Sequence, residues 1–332
     1  MITEARWVKA EPRRTLPAAV LQRIVSRASP RSRVLEAQFL SGGLRNANFK
    51  LLLDSGARSR VLRVYEHDVS ICRKEIDLLR MLRGAVPVPE VIYAEPRGLD
   101  DIPPFALLEY VDGIAFHELR RSGDVEAIAQ AAASAGEVLA AVGRFGFPKP
   151  GWLGPGPEVT ASLLEGPDPM SRFIDLCLAS ANLARWMPVE LRDQVHALAL
   201  AQAPDFAELG TESSLVHGDF NRRNLVVRMG PERWSVAAVL DWEFAVSSTP
   251  LADIGSFLRY EHETRPLLEP HFSQGYLRAG GELAGNWREL SRWTHLLAIC
   301  ESLTHDDLPE TIAAELVDLA RATVEHRDPE LT

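Results

Sequence analysis

Cysteine is scarce in this chain. Of 332 residues only Cys72, Cys177 and Cys300 are cysteines, far apart and odd in number. That excludes a disulfide framework and a Cys-x-x-Cys metal site, and it fits free thiols in a reducing, cytoplasmic compartment. Long apolar runs are missing too. No stretch of about 18 uncharged apolar residues occurs, so no membrane span is expected. The start, "MITEARWVKAEPRR", scatters charges where a secretory leader would have an apolar segment, so none is expected. A surplus of positive charge is also lacking. Net charge is −10, with 18 Lys+Arg against 14 Asp+Glu in residues 1–113 and 18 against 32 in the remainder. An acidic C-terminal part excludes nucleic acid as the main partner and suits a cationic one, although a solvated acidic surface has the same composition. Several catalytic signatures are absent: the P-loop, the G-x-S-x-G elbow, H-E-x-x-H and a full G-x-G-x-x-G.

The chain is long enough for two lobes with sizeable cores. Residues 1–32 read as an Arg- and Pro-rich lead-in, loose or briefly helical. From 33 to 113 the pattern is mostly strand. "RVLEAQFL", "NFKLLL", "RVLRVY", "VPVPEVIYAEP" and "FALLEYVDG" are short β-like runs separated by turn residues. One helix interrupts them, "DVSICRKEIDLLRML", with Ile71, Ile76, Leu79 and Leu82 at helical spacing. From 114 to 332 the pattern turns helical, beginning with the Ala-rich "DVEAIAQAAASAGEVLAAVG". Strands return around "VHGDFNRRNLVV" and "WSVAAVLDWEFA", and helices are expected from there to about residue 325. The boundary falls near Asp112–Gly113.

The segment "VHGDFNRRNLVV" sets His217, Asp219, Asn221, Arg222, Arg223 and Asn224 between two apolar runs. A plain turn needs one or two such residues. Asp219 and Asn224 are five residues apart, and Asp241, in "AAVLDWE", follows Asn224 by 17. A strand end presents a side chain into a cleft. Asn224 and Asp241 would then offer two hard oxygen ligands to Mg²⁺, which fills its remaining positions with water and phosphate. Asp219 stays free to accept a proton from an attacking hydroxyl. That constellation suits phosphoryl transfer.

These residues resemble the His-x-Asp-x4-Asn loop of the aminoglycoside phosphotransferase and choline kinase families, relatives of the protein kinases. The resemblance spans roughly residues 35–305. It implies an α+β, two-lobed protein-kinase-like fold, with an N-terminal antiparallel sheet carrying one helix and a mainly helical C-terminal lobe. It further implies ATP, or GTP, bound with Mg²⁺ between the lobes. Gly42 and Gly43 would let backbone approach the phosphates. Arg63 would bind the α- and β-phosphates, positioned by Glu75. Glu109, through its carbonyl, and Val111, through its N–H, would hold the adenine. Asn224 and Asp241 would carry the metal and Asp219 would be the catalytic base. His217 would brace the loop, Arg222 or Arg223 would reach the γ-phosphate, and Asp253 would support the loop backbone.

The chain departs from that pattern in places. Arg63 stands where a Lys is common, and Arg keeps the charge while changing the geometry. Asp241-Trp242-Glu243 replaces Asp-Phe-Gly, Gly218 replaces the Arg of protein kinases, and no Ala-Pro-Glu occurs. These departures favour a small-molecule hydroxyl acceptor over a protein. A non-catalytic nucleotide-binding module is the alternative, and a protein kinase ranks third. Glu243 reads equally as a metal-side carboxylate or an outward-facing one. For the acceptor, Glu261, Glu263, Glu301, Asp306 and Asp307, with Tyr276, Trp287 and Trp293, suit a polyamine or, by cation–π attraction, a quaternary amine. They suit an ordinary helix surface and core packing as well. The sequence does not specify an oligomeric state.

Overall fold

The computed structural model of the chain describes residues 16–40, 46–54, 59–66, 69–163, 169–259, 261, 265–306 and 308–325. Helix α1 (Ala18–Ala28) comes first. Strands β1 (Val34–Leu40), β2 (Asn46–Leu53) and β3 (Arg60–Tyr65) follow, then helix α2 (Val69–Leu82), then β4 (Val91–Glu95) and β5 (Phe105–Glu109). The five strands form one antiparallel sheet in the order β1-β2-β3-β5-β4. A two-residue period gives this sheet its faces. In β2, Ala47, Phe49, Leu51 and Leu53 are buried, while Asn46, Asn48 and Lys50 are only partly so. The apolar face packs under α1, whose Leu21, Ile24 and Val25 join Phe49, Leu51, Leu62 and Phe105 in one core. Part of the lead-in is therefore a helix that covers the sheet. The opposite face presents Asn48 beside Arg63, and Arg63 beside Ala106.

Past β5 the chain runs through β6 (Ile114–Ala115), α3 (Phe116–Ser122) and α4 (Val125–Gly143). Asp124 caps α4, its side chain accepting the Ala127 N–H at 3.0 Å. Strands β7 (Gly151–Leu153) and β8 (Val159–Ala161) precede α5 (Pro169–Leu178), α6 (Ala181–Trp186), α7 (Val189–Ala201) and α8 (Ala203–Leu209). Next come β9 (Ser214–Val216), β10 (Leu225–Met229), β11 (Trp234–Val239), a single 3-10 turn (Trp242–Phe244) and β12 (Val246–Ser248). Helices α9 (Leu251–Leu258), α10 (His271–Arg278), α11 (Trp287–Ser302) and α12 (Glu310–Val324) follow.

Among the described residues, α4 alone is long and apolar enough to cross a membrane, and it lies in the core. It crosses α10 closely because both carry glycine at the contact. A methyl at Gly136 would collide with the Phe272 carbonyl, and one at Gly275 with the Ala133 carbonyl. A second core joins α5–α8 to α11 and α12 through Ile174, Leu183, Val195, Phe206, Trp293 and Leu316. The strand expected through "WSVAAVLDWEFA" stops at Val239. Asp241 has φ +68°, a left-handed conformation in which a strand does not continue.

Candidate active site

Two short sheets position the loop 217–224. On one side β9 pairs with β12, Val216 opposite Val246. On the other, β10 and β11 form an antiparallel hairpin with Leu225 opposite Val239. That register sets Asn224 opposite Leu240, whose N–H donates to the Asn224 carbonyl at 2.8 Å. Asn224 and Asp241, 17 residues apart in sequence, therefore flank the same hairpin base.

The loop is cross-linked internally. Asn221 Nδ2 donates to Asp219 Oδ1 at 2.7 Å, and Asn224 Nδ2 donates to Asp219 Oδ2 at 2.9 Å. Asn224 Nδ2 also reaches the Asp219 carbonyl at 3.0 Å, which directs its own Oδ1 elsewhere. The Asp219 N–H donates to His217 Nδ1 at 3.2 Å. With Nδ1 an acceptor, the ring proton resides on Nε2 and donates to the Leu240 carbonyl at 2.9 Å. Both ring nitrogens are engaged, so His217 braces the loop as a neutral imidazole. Burial pushes its pKa down to about 4. Asp253, near the start of α9, accepts the N–H of His217 at 2.6 Å and of Gly218 at 3.0 Å. Beneath the loop, Phe220 meets Phe257, which in turn packs on Phe116 and Phe272.

Burial lifts the Asp219 carboxyl to about 6, against the opposing pull of Arg259 and of the Asn221 and Asn224 amides. A carboxylate poised in that range is ionised at neutral pH and still basic enough to take a proton.

Across from the loop, Arg63 is 7% exposed and faces three carboxylates. Its Nη2 lies 2.5 Å from Asp241 Oδ1 and 3.5 Å from Glu243 Oε2. Its Nε lies 3.0 Å from Glu75 Oε2, outside hydrogen-bonding alignment. Burial opposes the Arg63 charge, but the three carboxylates outweigh it and hold the guanidinium firmly protonated. Glu75 is fixed in turn by the Tyr65 hydroxyl at 2.6 Å and the Trp242 N–H at 3.3 Å. Helix α2 also supplies Lys74, whose Nζ donates to the Glu243 carbonyl at 2.9 Å. Asn46 Nδ2 donates to Glu243 Oε2 at 2.7 Å. Glu243 thus faces inward.

Three other predicted positions are Arg222, Glu109 and Val111. Arg222 is buried, and its carbonyl accepts the His117 N–H at 3.0 Å. Glu109 ends β5, its N–H donating to the Glu90 carbonyl at 2.9 Å, and Val111 follows on the crossing to β6. Gly42 and Gly43 lie outside the described residues. Among the described residues, no group of three His, Cys, Asp or Glu is arranged to hold a metal. Asn224 and Asp241 would offer a different design, two hard oxygen donors completed by phosphate and water, the donor chemistry that suits Mg²⁺.

Among the described residues, the carboxylates considered for the acceptor each have a partner within the fold. Glu261 is buried, its Oε1 accepting the N–H groups of Leu268 and Glu269, and burial pushes its pKa up to about 7. Glu301 pairs with His305 at 2.9 Å, and Asp306 accepts from Asn182. Trp287 and Trp293 are core residues, Trp293 packed edge-on against Phe206. Glu263 and Asp307 lie outside the described residues. A cavity of about 220 Å³ is instead lined by Asp205, Glu208, Glu212, Glu282 and Tyr276. It sits at the end of β9 away from His217.

Sequence reasoning missed Asn46, Tyr65, Lys74 and Arg259. Two of them carried a signal: Tyr65 is two residues from Arg63 on one strand face, and Lys74 adjoins Glu75. Nothing local points to Arg259 as a charge near Asp219.

A family model described as the phosphotransferase enzyme family matches residues 36–293. No curated protein matches the chain. Among solved structures, the aminoglycoside phosphotransferase APH(4)-Ia is similar at 20% identity and a TM-score of 0.64, covering 93% of this chain and 99% of its own. A thermostable mutant of that enzyme in ternary complex with AMP-PNP and hygromycin B gives a TM-score of 0.65 at 20% identity, covering 92% and 98%. The GDP complex of aminoglycoside 2'-phosphotransferase-IIIa gives 0.68 at 15% identity, covering 94% and 100%.

Proposed function

The chain belongs to the phosphotransferase enzyme family and has its two-lobed, protein-kinase-like fold, and on that premise we propose that it transfers the γ-phosphate of ATP to a hydroxyl of a small, cationic acceptor. The observation that carries this reading is the joint presence of a loop carboxylate held by two amides and two hard oxygen donors flanking one hairpin. We assign residues 33–113 to nucleotide binding, and residues 114–332 to the catalytic loop and acceptor site. Asp219 orients the acceptor hydroxyl and takes its proton. Arg63, positioned by Glu75, binds the nucleotide phosphates, and the Glu109–Val111 backbone receives the base. Asn224 and Asp241 hold Mg²⁺, and the ion, when bound, neutralises charge on the transferring group. His217, Asp253 and the buried Arg222 keep the loop in shape. Most of the acceleration comes from positioning and charge neutralisation.

The solved neighbours support the nucleotide and the acceptor class. Their complexes hold AMP-PNP, ADP or GDP, and hygromycin B or kanamycin. The acidic balance of residues 114–332 supports a cationic acceptor. The test is nucleoside diphosphate release with ATP or GTP and Mg²⁺ over a panel of aminoglycosides, macrolides, choline, ethanolamine, homoserine and sugars. Release with one acceptor, lost in Asp219→Asn, is the expected result. Nucleotide binding without release across the panel would favour a nucleotide-binding module instead.

A further inference from the structure

Arg63 and Glu243 are both departures from the kinase-like pattern, and they meet. The fork of Arg63 reaches two ways at once: Nε toward Glu75, Nη2 toward Asp241 and Glu243. A lysine ammonium, a single point charge on a shorter stem, does not span that arrangement. The shorter contact, 2.5 Å, is to Asp241, and the longer, 3.5 Å, to Glu243. Asp241 is one of the two residues assigned to the metal. While its Oδ1 accepts from Arg63, that oxygen is not available to an ion. Turning Asp241 to the metal leaves the Nη2 donor of a buried guanidinium without its closest acceptor, a costly state. Glu243 is the adjacent carboxylate. Its backbone is pinned by Lys74 Nζ, and its Oε2 is held toward Arg63 by Asn46.

We propose that Glu243 is a positioning residue that receives the Arg63 guanidinium when Asp241 turns to the metal, so that this pair sets how much Mg²⁺ nucleotide binding requires. The inference rests on the phosphotransferase reading above and assigns Glu243 a role that reading does not need. It also accounts for the contact between two residues that differ from the protein-kinase pattern. The guanidinium can keep Nε on Glu75 and exchange one Nη2 acceptor for another. Nη1, which has no hydrogen bond among the described residues, then remains for phosphate.

The test is Mg²⁺-dependent binding of a fluorescent ADP analogue to the full chain, with thermal melting as the folding control. In Glu243→Gln the Asn46 contact can persist while the receiving charge is gone. The half-saturating Mg²⁺ is expected to rise roughly tenfold, the scale of one lost charge-assisted hydrogen bond. Affinity for the analogue without Mg²⁺ should stay near wild type. In an Arg63→Lys background the same Glu243 change should add little, because the lysine does not make the exchange. A folded Glu243→Gln variant with an unchanged Mg²⁺ midpoint overturns the inference. If that variant does not fold, a crystal structure of the wild type with Mg²⁺ and a non-hydrolysable nucleotide decides. Nη2 within about 3 Å of Glu243 and released from Asp241 supports the exchange. Nη2 still on Asp241, or Glu243 out of reach, overturns it. A wild type whose nucleotide binding ignores Mg²⁺ overturns the phosphotransferase reading and this inference with it.

Discussion

Asp253 accepts the backbone N–H of His217 through Oδ2 at 2.6 Å, tying the first turn of α9 to the loop that carries Asp219. Its other oxygen takes the Gly218 N–H at 3.0 Å. Both acceptors are used, and the site is buried. An Asn at 253 keeps one acceptor and turns an NH₂ toward the other N–H. Asp253→Asn should therefore lose about 1–3 kcal/mol of stability. It should also lower kcat more than it raises KM for nucleotide, because the loop is displaced while the nucleotide lobe is untouched. Denaturant unfolding and steady-state kinetics check this. Wild-type stability in the variant would mean that Asp253 does not hold the loop.

Gly218 answers a geometric demand at the same place. Its φ is +83°, and a Cβ there would run into the Phe244 carbonyl. Any L side chain meets both the left-handed strain and the collision. The Arg found here in protein kinases is excluded on the same ground. Gly218→Ala should cost roughly 3 kcal/mol, combining backbone strain with the forced shift at Phe244. A variant melting within a degree of wild type would show that the segment gives way freely.

Asp219 gives a prediction in pH. Its carboxyl is raised to about 6, chiefly by burial. The base form is the ionised one, which predominates above that value and is lost as pH falls through it. The acid limb of kcat/KM should accordingly bend near pH 6 with a one-proton slope. Asp219→Asn should reduce turnover by about 10²–10⁴-fold and leave nucleotide binding nearly intact. A limb that bends near pH 4 or below would remove Asp219 from the role of base, as would substantial turnover in the Asn variant.

The loop was legible in the sequence because its meaning lies in spacing. Five residues separate Asp219 from Asn224, and the hairpin that joins Asn224 to Asp241 announces itself as two apolar runs. The N-terminal sheet was legible as short β-favouring runs between turn residues, which fold into strands of five to eight residues, with clear alternation in β2. Strand β12, three residues long, is too short to show a period, and it went unseen. Glu243 was undecided because a charged residue beside a strand end points either way on sequence alone. Its direction is set by Asn46, 197 residues away. The acceptor side stayed open in the sequence for the opposite reason. Carboxylates are conspicuous in composition, but Glu261, Glu301 and Asp306 each give one oxygen to a neighbour within the fold.

His295 is buried, 8% exposed on α11 where that helix meets Gly255 of α9. Burial, reinforced by the positive charge of Arg259, pushes its pKa down to about 3. The folded state therefore refuses a proton that the unfolded chain accepts below about pH 6.5. Stability from this residue is full above that value and falls as pH drops, by about 1.4 kcal/mol per unit, until the folded site also protonates. Carboxyls with raised values, such as Glu261, bend the curve the other way, so the slope of the wild type alone does not isolate His295. The difference between wild type and His295→Gln does. Unfolding free energies measured at pH 7, 6 and 5 should give a wild-type advantage that shrinks by about 1.4 kcal/mol between the last two, since the Gln variant carries no such group. A constant difference across that range would mean that His295 takes up its proton inside the folded protein, and that the contact between α9 and α11 admits water or an acidic partner.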